Sequence, residues 1–98
     1  MESESASWTT PGVFAGPGGV LTEGGGTLTG ELTVHTEWEQ GRARVAVQYQ
    51  DGGEWYALAG SPVACPDPRV SRSVHQSAVE AVRAGGAVRF APWVTPAA

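Results

Sequence analysis

Ninety-eight residues with 41% hydrophobic content set one small domain, near the size at which a single core becomes self-sufficient. Ten acidic side chains against six basic ones leave a net charge of −4, the opposite of what phosphate binding needs, so no nucleic-acid partner is expected. A single cysteine excludes an internal disulfide framework, and no apolar run approaches the length of a membrane span.

The charge is unevenly spread. Residues 1–60 carry eight Asp or Glu against two Arg, and residues 61–98 carry two against four. Lys is absent, and with abundant Ala, Gly, Pro and Arg this reads as the codon usage of a GC-rich bacterial genome, which bears on source and not on function. The acidic start MESESASW lacks the basic and then apolar character of a secretory signal, so a cytoplasmic protein with a reduced thiol is expected. Fourteen Gly and seven Pro raise the conformational entropy that folding must overcome, which implies modest stability or support from a partner.

In chain order, residues 1–7 are expected to be a disordered tail, followed by one domain over residues 8–94 and a frayed tail at residues 95–98. Trp8 to Phe14, interrupted by Pro11-Gly12, is compatible with a short edge strand, because proline removes a ladder donor. Residues 15–26 carry Gly-Pro-Gly-Gly and Glu-Gly-Gly-Gly. A phosphate loop would follow a strand, open a helix and supply a Lys; these glycines precede a strand and do neither, so a flexible loop is expected.

From Thr27 the pattern becomes period two. Leu28, Leu32, Val34 and Trp38 alternate with Thr29, Glu31, Thr33, His35 and Glu37, predicting a strand with one wet face. After the Glu39-Gln40-Gly41 turn, Ala43, Val45, Val47 and Tyr49 alternate with Arg42, Arg44 and Gln48 in a second strand. Asp51-Gly52-Gly53 is a hairpin signal, and Glu54–Gly60 is the third strand, apolar on both faces and so expected to be central or covered on both sides.

Residues 61–70, with three prolines, predict an irregular extended connector. Ser73 and Gln76 have the form of a capping box, and Val74, Ala78, Ala81 and Val82 form the apolar stripe of a helix that Gly85-Gly86 ends. Ala87–Trp93 then predicts a last strand with Val88 and Phe90 on one face, cut off by Pro92. The fold class is therefore α+β: an antiparallel sheet of three to four strands in β-β-β-α-β order, with one helix packed on one face. Eight to ten large apolar side chains under that helix would each contribute roughly 1.5–3 kcal/mol before entropy.

Candidates for chemistry are few. Cys65 with His35 or His75 and Asp67 would make a nucleophilic set only if the fold assembled them, and no local signature surrounds the thiol. The same residues show no ligand spacing for zinc, and neither a metal nor another cofactor is expected. His35 lies on the wet face of its strand, and His75, in the predicted first helical turn, is expected to be a neutral surface side chain. Arg42 and Arg44 are expected to pair across the strands with Glu37 or Glu39.

Over residues 45–81, Asp51, Gly52, Trp55, Ala57, Pro62, Cys65, Ser73 and Gln76 occupy places that resemble those of HicB-type antitoxin domains. In that family a strand, an Asp-Gly turn, an aromatic strand and a Pro/Gly/Cys bend lead into a helix. Gln76-Ser77 stand where the family has Glu-Ala, the connector is longer, and no Gly precedes Ser73. The resemblance implies an acidic protein that masks a basic toxin, with no catalytic residues. The strand-and-helix order also resembles double-stranded-RNA-binding domains, whose leading helix and basic final helix this chain lacks.

The composite expectation is a small acidic, non-enzymatic protein-interaction module, antitoxin-like or regulatory, with no membrane attachment. Four Trp and two Tyr exceed what one helix can cover, so Trp38, Trp55, Tyr56, Tyr49 and Trp93 are the expected partner-binding residues. The alternative is a structural or self-assembling subunit, as of a phage or other particle, in which Trp8 and residues 87–93 complete a neighbour's sheet. A small enzyme using Cys65 and a histidine ranks third.

Overall fold

The computed structural model describes residues 4–92. A ten-residue strand, β1 (Ser5–Phe14), opens it, and Ser5 to Ser7 pair with Glu39 to Glu37 where a disordered tail was expected. Ala6, Trp8, Thr10 and Val13 turn inward. The register shifts between Thr10 and Val13, so that Pro11 and Gly12 are taken up in a bulge at the sheet edge, as the proline requires. What was expected at residues 1–3 and 95–98 lies outside the described residues.

The glycine-rich segment is tied down. Within it β2 (Val20–Leu21) pairs antiparallel with β3 (Thr27–Leu28), and Val20 and Leu28 are buried. The first predicted strand is thus split, because Gly30 takes a φ of 94° and redirects the chain before β4 (Glu31–Glu39). A two-residue turn, Gln40-Gly41, with φ 51° and 77°, joins β4 to β5 (Arg42–Tyr49), the left-handed pair that a tight hairpin demands. Beyond the next turn come β6 (Tyr56–Ala57) and β7 (Val63–Ala64), both short and both paired with β5. The expected third strand, Glu54–Gly60, is thus reduced to the two-residue edge fragment β6 and is not central, while β7 is a second fragment inside the expected connector. Between them Ser61 Oγ accepts from the Val45 amide at 2.7 Å, in place of a ladder carbonyl, and the Ser61-Pro62 bond is cis.

The helix, α1 (Pro68–Ala84), starts five residues before the predicted Ser73. Asp67 is its cap, accepting from the Arg69 amide at 2.8 Å, with Pro68 at the first turn where its missing N–H loses nothing. Asp-Pro outcompetes the Ser-x-x-Gln signal because it satisfies the same orphan donors earlier in the chain. Gly85 ends the helix as expected; its φ is 71°, and a Cβ there would meet the backbone of Gly16 and Pro17.

Strands β1, β4 and β5 lie side by side, with β6 and β7 beyond β5, and α1 covers one face. This is the predicted α+β class, an antiparallel sheet with one helix on one face. Leu32, Val34, Val45, Val47, Val74 and Val82 form the centre of the core. The last predicted strand is not found: residues 87–92 run without strand structure, Val88 is exposed and Phe90 is buried, so the two do not share a face, and Trp93 lies outside the described residues. Ala87 at φ 50° and two isolated bonds, from the Ala87 amide to the Gly19 carbonyl (3.0 Å) and from the Phe90 amide to the Ala59 carbonyl (2.7 Å), replace a ladder.

Candidate functional site

Period two sends alternate residues of β4 and β5 to opposite faces, and the helix takes one of them. The other stays open. Register aligns Ser5, Glu39 and Arg42 in one row across it, Ser7, Glu37 and Arg44 in the next, and Thr9, His35, Ala46 and Ala57 in the third.

The third row is the centre of the face. Thr9 Oγ1 lies 2.7 Å from His35 Nδ1, and the Trp55 ring meets the His35 ring at 5.7 Å between centroids with a tilt of 55°. Ala46 and Ala57, next to His35 in this row, are short, and the indole, arriving just before β6, meets the imidazole on the same face. Trp55 remains 45% exposed, a large apolar surface on an otherwise polar face. Below it Ser5, Ser7, Glu37, Glu39 and Arg44 line a polar cleft of about 250 Å³.

Glu37 faces Arg44 and Glu39 faces Arg42 in register, as expected, but no closed ion pair joins them. Among the described residues the closed pairs lie elsewhere, Arg69 with Asp67 at 3.0 Å and Arg89 with Glu23 at 3.7 Å. Four charges of two signs therefore line two adjacent rows of the open face without being closed into pairs.

The expected aromatic partner surface needs correction. Trp38 is buried, its indole N–H donating to the Cys65 carbonyl at 2.6 Å, because its position in β4 faces the helix. Tyr56 faces inward opposite Val47, half-buried beside Gly25, and donates to Glu54 Oε1 at 3.2 Å; that bond to a carboxylate raises its hydroxyl's pKa. Tyr49 belongs to the inner face, exposed at the far end of β5. Trp93 is outside the described residues. Of the five, Trp55 stands on the open face.

The residues considered for nucleophilic chemistry are not assembled into a set, since neither histidine bonds Cys65 or Asp67. Cys65 is buried, its thiol donates to the Asp67 carbonyl at 3.4 Å, and burial pushes its pKa up, away from the thiolate. His35 bonds to Thr9. His75 is not on the surface: Thr10 Oγ1 lies 2.8 Å from its Nε2 and Thr36 Oγ1 2.8 Å from its Nδ1, and burial holds its pKa below the ordinary range, with His35 adding in the same direction. Asp67 serves as helix cap and partner of Arg69, whose bonds lower its carboxyl's pKa. No three His, Cys, Asp or Glu side chains among the described residues come together as a metal set, and no described helix is long and apolar enough to cross a membrane.

His35 and Thr9 were legible only through register, since nothing local ties residue 9 to residue 35. His75 had a signal: it stands four residues after Ser71 and four before Val79, on the face both bury. No family model matches this chain, and neither a curated protein nor a solved structure matches it.

Proposed function

We propose that this chain is a non-catalytic, cytoplasmic interaction module, antitoxin-like or regulatory, that receives a protein partner on the open face of its sheet. The observation that carries this reading is Trp55, half-exposed against His35 on the same face as the unclosed charges of Glu37, Glu39, Arg42 and Arg44. A partner that places an apolar side chain on the indole and opposite charges beside it would bury the aromatic surface and match all four ions. The net charge of −4 favours a basic partner and speeds its approach. The test is co-purification from the source cells in low salt, comparing wild type with Trp55→Ala and Tyr49→Ala. The expected outcome is one stoichiometric protein retained by wild type and Tyr49→Ala and lost with Trp55→Ala; a chain that returns alone and monomeric overturns the reading.

Self-association is the second reading, favoured by the ten-residue edge strand β1, which pairs with β4 on one side. Two of the devices expected for it serve other ends here: the Trp8 indole donates to Ser71 of the same chain at 2.9 Å, and residues 87–92 offer no strand. Light scattering on the purified chain separates the two readings, since stable assembly without a partner supports the second.

A further inference from the structure

Helix α1 is attached to the sheet in two different ways along its length. Its second half is apolar, with Ala78, Val79 and Val82 in the core. Its first half sets polar side chains beside one core residue, Val74. Ser71 accepts from the Trp8 indole and donates to the Pro68 carbonyl, while His75, one turn on, sits between Thr10 of β1 and Thr36 of β4. Thr36 and Ser71 are fully buried and His75 is 6% exposed.

We propose that His75 is an acid-sensitive latch, an imidazole that fastens the first half of α1 to the sheet while neutral and releases it when it gains a proton. In the neutral ring one nitrogen donates to a threonine and the other accepts from the second threonine's hydroxyl, so all three groups are satisfied. The added proton turns both nitrogens into donors. The threonine that had been donating to the ring then loses its acceptor in a layer shielded from water.

The new charge also finds no counter-ion. On the inner side of β1, Ala6, Trp8, Thr10 and Val13 are uncharged, as are Leu32, Val34, Thr36 and Trp38 of β4. The inner residues of β5 are Ala43, Val45 and Val47, with the Tyr49 phenol at the far end, and the Cys65 thiol is held neutral. On α1 itself Arg69, Arg72, Glu80 and Arg83 are all exposed; Arg69 is paired with Asp67, and the Arg72 guanidinium lies 6.0 Å over the Trp8 ring. His35, on the opposite face of the sheet, adds positive charge when it protonates. Burying an uncompensated cation is costly, and the cost is removed by letting Ser71 and His75 swing into water.

The sign follows from linkage. A group that is harder to protonate in the folded chain binds fewer protons there than in the unfolded one, so stability is complete above the unfolded value near 6.5 and falls as pH drops below it. The experiment is urea unfolding of the full chain from pH 7.5 to 5, followed by helix circular dichroism and indole fluorescence, with hydrogen exchange resolved along α1. The unfolding constant is expected to rise by up to about tenfold per pH unit below about pH 6.5, with amides near Ser71 and His75 losing protection before those near Val82. His75→Gln, which bonds both threonines but does not titrate, is expected to abolish the slope, and His35→Gln to keep most of it. A flat wild-type profile, or an unchanged slope in His75→Gln, overturns the latch. Should His75→Gln fail to fold, NMR titration of the wild-type imidazoles decides: a His75 ring that protonates at its ordinary value with α1 protection intact also overturns it.

Discussion

Thr9 and Thr10 are neighbours in β1, and each bonds a histidine, yet the two imidazoles live in different solvents. Thr9 holds His35 on the open face beside Trp55, where water can replace either partner; Thr10, with the fully buried Thr36, holds His75 between helix and sheet, where the imidazole is 6% exposed. The pairing chemistry is the same on both sides, and what differs is the replacement available when a bond is lost. A hydrogen bond matters most where the unpaired group has nowhere else to turn.

Breaking each side separately should expose that difference. The largest effect is expected from Leu32→Ala, which empties a fully buried site and should cost about 2–5 kcal/mol in urea unfolding. Its neighbour on the open face, Thr33→Ala, should stay within about 0.5 kcal/mol. An intermediate effect is expected from Thr36→Val, which leaves His75 Nδ1 without its partner and should cost about 1–3 kcal/mol. Thr9→Val, the matching change outside, should fall below about 0.5 kcal/mol because water reaches His35; equal losses for Thr36→Val and Thr9→Val would erase the contrast between the faces.

The smallest effect belongs to Asp67, exposed at the start of α1. Its bonds with Arg69 lower its carboxyl pKa, so whatever stability it adds is complete above the unfolded value of about 3.8 and is lost as pH falls through the folded one. Asp67→Ala should therefore lower the melting temperature slightly at pH 7 and leave the pH 5–7 profile unchanged. That keeps the cap separate from the His75 layer. A change of slope above pH 5 in this variant would link them.

Much of the sheet was readable because period two is a local property. Val34, Trp38, Val45 and Val47 lie on the face their spacing predicts, and the Gln40-Gly41 turn falls where the alternation stops. The start of α1 was misplaced because two capping signals compete within a few residues, and the choice of Asp67 depends on where the preceding chain, Val63–Ala64, is pinned to β5. Trp38 was read as surface because counting aromatics says how much apolar area exists, and only the face assignment says where it goes. The strand expected at Ala87–Trp93 had the composition but no free edge near Gly86, whose amide bonds to the Pro17 carbonyl at 2.7 Å, while Ala87 bonds to Gly19 at 3.0 Å.

Residues close in the chain decided which parts extend, which part coils and which side of each strand is apolar, since those depend on steric preferences over three or four positions. Contacts across 20 to 65 positions decided the rest: that His35 meets Thr9 and Trp55 on a face left open, and that His75 is enclosed by Thr10 and Thr36. Those partners are chosen by strand register and by where one helix comes to rest, and neither is written in the neighbourhood of any single residue.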